Sequence, residues 1–279
     1  MYYVSLIIGI LRGGAPAWLG SEGKVSACNI ISHIVLLHGL VPHYADSIIG
    51  VEWYLGALVI FWGIAPFLYK CVKNVESGFI AFLASLFFVN LWNKMEVFMP
   101  EYDQQIYHWW FMSISVFAQF HVLLLGVLLY TIVSKTKMID DMRGNKTLSL
   151  CVLITSMIII LGEIMGVNNL ALFNVYIRYG IAFAGIFISQ EMYSFRIVDN
   201  VIFQRVGKMS LPMYLFHIYI KELFSRIIHF ESVIITNMVI FTGTIIVTFF
   251  LSMIIIRYLD APIKMWISRR KVCFPNVRY

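Results

Sequence analysis

The chain has 279 residues, of which 60% are hydrophobic, 16% aromatic and only 13% charged, with a net charge of +6. A soluble domain carries about 25% charged residues, so this sequence has too little polar surface to cover a water-facing globule, and its mean hydropathy of +0.82 points to a membrane. The basic balance comes without a basic helix or an aromatic–basic platform, so nucleic acid is not a partner it suggests, and the short alternating segments of a β-barrel are absent.

The apolar runs are long enough to approach the roughly 20 residues that cross a hydrocarbon core. The first covers 1–19 and is interrupted by "RGGAP". Its start, "MYYVSLIIGIL", lacks the charged leader and small-residue cleavage site of a signal peptide and reads as a membrane helix. Next comes 26–41, "SACNIISHIVLLHGLV", which is short and contains His33 and His38. That length suits a re-entrant or interfacial piece outside the membrane proper. Further runs follow at 48–70, 78–93, within 106–134, and at 147–167, 170–190, 207–229 and 233–259. The expected fold is therefore all-α: a polytopic transmembrane bundle of about eight spanning helices plus one short extracytoplasmic or re-entrant segment. Residues 1–260 form the membrane domain and 261–279, ending "RRKVCFPNVRY", a basic tail.

Lysine and arginine are enriched in cytoplasmic loops. Fifteen of them fall on one side of this layout, and only Arg12, Lys24, Lys94 and Arg226 on the other; Arg178 and Lys221 lie inside spans. The C-terminal tail is then cytoplasmic, the protein is multi-pass, and the 48–70 helix enters from outside. Glu52, four residues into that run, is expected at its outer mouth, within reach of water and substrate. The four cysteines show no metal-ligand spacing and are expected to be buried, inert thiols.

Ionisable residues within membrane helices are functional hypotheses by default. Glu52 could hydrogen-bond a sugar hydroxyl or orient a catalytic partner, or it could pair with an arginine and tie helices together. Glu163, in "LGEIMGVNN", faces either a polar cavity or the water near the "NN" turn, and the second is favoured. Arg178, in "NVYIRYGIAF", either pairs with Glu163 or faces an anion. His217, in "SLPMYLFHIYI", is of the residue type suited to general-base work, against the plainer role of a histidine satisfied by a neighbouring helix. Ser210 and Pro212 ahead of it suit a helix start. His33, His38 and His43 recur at spacing five, which does not align on one helix face, so no metal site is expected and a polar vestibule is preferred.

Four stretches, in order, resemble the acyltransferase 3 family of integral membrane O-acyltransferases. "SIIGVEWYLGALVIFWGIAPFLYK" is similar to the family's W-S-L-x-x-E…F-Y…P segment, with Glu52 as the motif acid and Pro66 as its proline. "FAQFHVLLLGVLLY" resembles Q-x-P-x-F-x-x-G-x-x-x-Y through Gln119, Gly126 and Tyr130. "FQRVGKMSLPMYLFHIYI" resembles L-G-K-x-S-Y-x-x-Y-L-x-H through Gly207, Ser210, Tyr214, Leu215 and His217. "YLDAPIKMWISRR" resembles a closing E-x-P element, with Asp260 as the acid. Two departures stand out. Ser47 occupies the place of the motif tryptophan, and Trp53 follows the glutamate instead. The family's usual first helix, bearing an essential histidine, and the helix after it have no counterpart here.

The resemblance implies acyl transfer, acetyl being the simplest case, from a cytoplasmic acyl-CoA to a hydroxyl of a cell-surface polysaccharide or lipopolysaccharide sugar. The acceptor would be a glycan or a lipid-linked glycan. Acetyl-CoA or another acyl-CoA is a substrate, and no bound cofactor is implied. On its motif residues it suggests Glu52 and His217 in catalytic support and Tyr214 and Gln119 in substrate binding; Trp53, Glu163 and Arg178, which no motif covers, join the substrate-binding candidates from their place in the apolar runs, Arg178 as a partner for CoA phosphate. It implies residence in the inner membrane among lipids, and a short form lacking two helices, with little activity alone. The rival reading is a non-enzymatic membrane protein of glycan export: a flippase, transporter or accessory subunit, whose polar residues line a path.

Overall fold

The structure, a computed structural model, describes residues 1–15, 25–100, 104–167 and 174–271, with side chains to 266. Every regular element among them is helical. They are α1 (Tyr2–Arg12), α2 (Ala27–Ile34), α3 (Trp53–Cys71), α4 (Val75–Lys94), α5 (Gln104–Trp109) and α6 (Phe120–Lys135). There follow α7 (Met138–Met142), α8 (Lys146–Ile164), α9 (Val175–Met192), α10 (Val201–Ile227), α11 (Val233–Ile255) and α12 (Ala261–Lys271).

Local sequence explains several starts. Asn74 and Ser77 form a reciprocal capping box at α4, with Ser77 N–H donating to Asn74 Oδ1 at 2.9 Å and Asn74 N–H to Ser77 Oγ at 3.1 Å. Asn145 caps Leu148 N–H at α8, and Asn174 caps Ile177 N–H at α9. Each side chain satisfies a donor that the helix itself leaves unpaired.

Four of these helical stretches are long and apolar enough to cross a bilayer: Trp53–Cys71, Val75–Phe98, Lys146–Ile164 and Val233–Trp266. The other four expected spans also form helices. However, α1 and α6 are short, with 11 and 16 residues, and α9 and α10 carry charges within their apolar runs. The 26–41 run contains an eight-residue helix followed by two 3-10 turns, too short to cross.

Three local expectations change. The 106–134 run is not continuous: a π-turn at Trp110–Ile114 and a break at 115–119 separate α5 from α6. Ser115 makes the break tolerable, because its Oγ accepts from Trp92 Nε1 and from Ala118 N–H. The 207–229 helix starts earlier, at Val201, so Ser210 and Pro212 lie inside it. Pro212 costs only one helical hydrogen bond there, while Asp199 and Asn200 stand directly before the true start as residue types that favour one. Finally, Cys28, Cys71 and Cys151 are exposed rather than buried, while Cys273 lies outside the described residues. A membrane helix turns part of its apolar surface to lipid, as Trp62, Phe67 and Ile158 also do. The basic tail begins as helix: α11 runs through a π-turn at Ile256–Asp260 into α12.

The chain divides into two compact units, the first comprising Met1–Ile30, Asp46–Glu52 and Val201–Tyr279, the second Ile31–Ala45 and Trp53–Asn200. In the first, α1 lies on α10, with Tyr219 Oη donating to Ser5 O at 2.8 Å, and α10 and α11 form an antiparallel pair. In the second, α8 and α9 approach at small residues. Ser149 Oγ donates to Ser189 O at 2.7 Å, and Gly185 faces Ser156 so closely that a Cβ there would lie 2.3 Å from the hydroxyl. Small residues let backbones meet where dispersion and hydrogen bonds, rather than water exclusion, drive helix association. Val72 with Leu124 and Val127, and Phe82 with Leu128 and Ile177, form its apolar centres.

Candidate active site

In the first unit, α10 and α11 are joined by residues 228–232 and enclose a groove of about 540 Å³ between them, within the usual size of a ligand pocket. Met213, Tyr214, His217, Lys221 and Ser225 recur along one stripe of α10, near the four-residue spacing of a helix face. Asn237, Ile240, Thr244 and Thr248 form the facing stripe of α11. Because the helices are antiparallel, Ser225 and Asn237 lie at the connected end, and Met213 and Thr248 at the other.

His217 is half-buried, and its Nδ1 lies 2.5 Å from the Tyr214 carbonyl oxygen. A carbonyl can only accept, so Nδ1 carries the hydrogen of that bond. The neutral ring then presents Nε2 as its basic atom, on a side chain that lines the groove. This is the arrangement of a general base: one nitrogen anchored to fix the tautomer, the other left to take a proton.

Glu52 is also in the first unit, fully buried. Its Oε1 accepts the N–H groups of Ile48 (2.8 Å) and Ile49 (3.0 Å), and its Oε2 those of Gly50 (2.6 Å) and Val51 (3.0 Å). Four consecutive donors thus close on one carboxylate, a backbone anion nest of the kind that binds free anions elsewhere. Gly50 makes this possible with φ of +96°, which a residue bearing a side chain rarely adopts. The expectation that water and substrate reach Glu52 is therefore corrected: its oxygens are turned into the loop that precedes α3. Ser47, at the motif tryptophan's place, is buried and exchanges hydrogen bonds with Asn29 at 2.9 and 3.0 Å.

Arg12 completes this side. Its Nη1 donates to both carboxylate oxygens of Glu222 at 2.8 Å, its Nη2 to the carbonyls of Ile48 (3.3 Å) and Ile49 (3.0 Å), and its guanidinium covers the Tyr219 ring at 4.9 Å. By sequence Arg12 is one more loop charge, because nothing local marks a partner 210 residues away.

The remaining named residues fall in the second unit. Arg178 and Glu163 form a two-point ion pair, with Nη2 to Oε2 at 2.9 Å and side-chain exposures of 16% and 5%. The pairing reading of Arg178 holds, and Glu163 is buried rather than hydrated. Gln119 Nε2 donates to Ser113 O, bridging the break before α6. Trp53 opens α3, half-buried and edge-on to Tyr54. His33 and His38 are buried and stack at 4.2 Å, while His43 meets Tyr107. Among the described residues no three His, Cys, Asp or Glu converge as a metal site would need. A residue without a sequence signal, His121, is buried, with Nε2 3.1 Å from Asn174 Oδ1, in a small polar pocket with Asn90 and Asn93.

Four apolar helices long enough to span, among further apolar helices, define a multi-pass helical membrane protein. Residues 3–257 match a family model described as an acyltransferase domain, and the chain belongs to that acyltransferase 3 family of membrane acyltransferases. No curated protein and no solved structure matches it.

Proposed function

We propose that the protein is a membrane-bound O-acyltransferase that moves an acyl group, acetyl in the simplest case, from acyl-CoA to a hydroxyl of a cell-surface polysaccharide or lipopolysaccharide sugar. Its place is the plasma (inner) membrane, with the C-terminus cytoplasmic and the 228–232 connection outside, as the lysine and arginine distribution requires. The single observation that supports it is His217, its Nδ1 tied to the Tyr214 carbonyl and its side chain in a groove of substrate size.

In this reading Nε2 of His217 removes the acceptor hydroxyl proton as the oxygen attacks the thioester carbonyl. The oxyanion that forms collapses, the carbon–sulfur bond breaks, and the proton held on His217 passes to the departing CoA sulfur. Tyr214 on the same helix is the candidate hydrogen-bond donor to substrate; Trp53, in the second unit, stays a separate substrate-binding candidate. Glu52 is a positioning residue: with no accessible oxygen, it acts through the 48–51 loop. Glu163 and Arg178 serve as a lock between α8 and α9.

The test compares glycan O-acylation and glycan export in cells with the gene, without it, and with His217→Ala. The expected result is loss of O-acyl groups with export unchanged in both altered strains. Loss of export with acylation intact on the residual glycan would overturn the reading.

A further inference from the structure

The α10–α11 pair carries a second feature, at the end away from its connection. Lys208 and Arg205 lie 19 and 22 residues before Ile227, the last residue of α10, and Arg257 lies 24 residues after Val233, the first of α11. At 1.5 Å per residue the three stand about 29, 33 and 36 Å from the connected end. Those heights fall at the boundary between a ~30 Å hydrocarbon core and its headgroup layer. All three cations are exposed. The sequence holds no acid within 201–210 or 252–259, and the next one along, Asp260, is 2.6 Å from Lys264. Among the described residues no carboxylate pairs with Arg205, Lys208 or Arg257. Phe203 and Tyr258 are exposed at the same height, and the Arg257 guanidinium lies over the Tyr258 ring at 5.6 Å. Aromatic rings and long cationic side chains are the types that settle at a membrane interface, ring or stem in the apolar layer and charge in the headgroups.

We propose that this collar of Arg205, Lys208 and Arg257 binds the headgroups of anionic phospholipids in the adjoining leaflet. Cations on helix flanks at that depth meet lipid phosphates before bulk water, and none of the three has a carboxylate to neutralise it. A zwitterionic lipid brings a cation of its own beside its phosphate, whereas an anionic one leaves its charge for the protein, so the collar prefers the second. Exposed Val201 and Ile202 stand next to Phe203 and give the upper part of an acyl chain an apolar surface, which a soluble anion would leave unused. One lysine or arginine near an anionic surface is worth about fivefold in binding. The inference stands apart from the transferase reading; only the naming of the leaflet as cytoplasmic rests on the orientation proposed with it.

The test uses the full chain in phosphatidylcholine nanodiscs doped with a trace of phosphatidylglycerol or phosphatidylcholine that bears a photoreactive diazirine near the headgroup end of one chain. Labelled peptides are mapped by mass spectrometry. Within 201–208 and 253–260 the anionic analogue is expected to label about fivefold more than the zwitterionic one at low salt. The two should approach equality in 1 M salt, where the screening length is ~3 Å. The triple variant Arg205→Gln, Lys208→Gln, Arg257→Gln should bring them to equality at low salt, while the charge-keeping triple Arg205→Lys, Lys208→Arg, Arg257→Lys should retain the excess. Lys94→Gln with Arg226→Gln, on the other side of the charge layout, should also retain it, and glycerol phosphate in solution should not compete. Equal labelling by the two lipids at low salt overturns the proposal. So does an excess that survives the glutamine triple at unchanged melting temperature, or one lost equally in the Lys94 and Arg226 variant. Competition by glycerol phosphate would make the collar a soluble-anion site and overturn the lipid assignment.

Discussion

Arg12 and Glu222 meet through a single guanidinium nitrogen, Nη1, that lies 2.8 Å from each carboxylate oxygen, and they join the first described helix to the tenth. The same guanidinium reaches the backbone carbonyls of Ile48 and Ile49, whose own N–H groups are bound by Glu52. Charge thus runs in a chain from Glu222 through Arg12 and a peptide loop to Glu52, all within one unit. Side-chain exposures of 18% and 37% put the ion pair between the surface and buried extremes. Arg12→Ala should therefore destabilise by about 2 kcal/mol, more than an exposed pair and less than a fully buried one. Thermal unfolding of the detergent-solubilised protein measures it, and a double-mutant cycle with Glu222→Gln should show coupling. Additive effects would mean that the pair contributes nothing.

Glu52→Gln removes one of two oxygens that accept four backbone donors and turns an amide NH2 toward the rest. Two N–H groups then lose their partner in a fully buried position, at a cost of about 2–3 kcal/mol. The loop 46–52 should become sensitive to protease in membranes, and the melting temperature should fall. A variant as stable as the parent but inactive would instead return Glu52 to direct chemistry.

His217→Ala should lower transfer by at least about 100-fold, the usual worth of a positioned base, while unfolding stays within about 1 kcal/mol because the ring is only half-buried. His217→Gln can keep a donor near the Tyr214 carbonyl but offers no basic nitrogen, so it should not rescue the rate. Initial-rate assays with acyl-CoA and a glycan acceptor decide this, and recovery in the glutamine variant would show that His217 only packs.

Gly185→Ala should destabilise by about 1–3 kcal/mol, because its Cβ would fall 2.3 Å from Ser156 Oγ. Ser156→Ala in the same chain removes that oxygen and leaves the residue's own Cβ 3.6 Å away, an ordinary contact, so it should recover most of the loss. A double variant no more stable, by melting temperature, than Gly185→Ala alone would show that this contact is not what the extra methyl disturbs.

Several features were legible from residue order. The Glu163–Arg178 pair could be named because its members flank one short connection, and local spacing limits who can meet whom. The helical class followed from the length of the apolar runs, and the inability of 26–41 to cross followed from its shortness. The break at 115–119 was hidden, because "SISVFAQF" is apolar enough to pass for continuous helix and only the Trp92 and Ala118 bonds to Ser115 reveal its stability. The helix start at Val201 was hidden for the opposite reason: Ser210 and Pro212 carry the local signs of a beginning, and packing overrode them.

Residue order by itself established a lipid-soluble, all-helical chain of the acyltransferase 3 family, because hydrophobic length and ordered motifs are one-dimensional properties. Only the folded chain decided what its acids and histidines do. Glu52 turned inward because four N–H groups in one loop bind a carboxylate more strongly than a neighbouring solvent molecule can. His217 emerged in a groove because α11 returns alongside α10, and such long-range pairings depend on shape and desolvation that spacing along the chain does not encode.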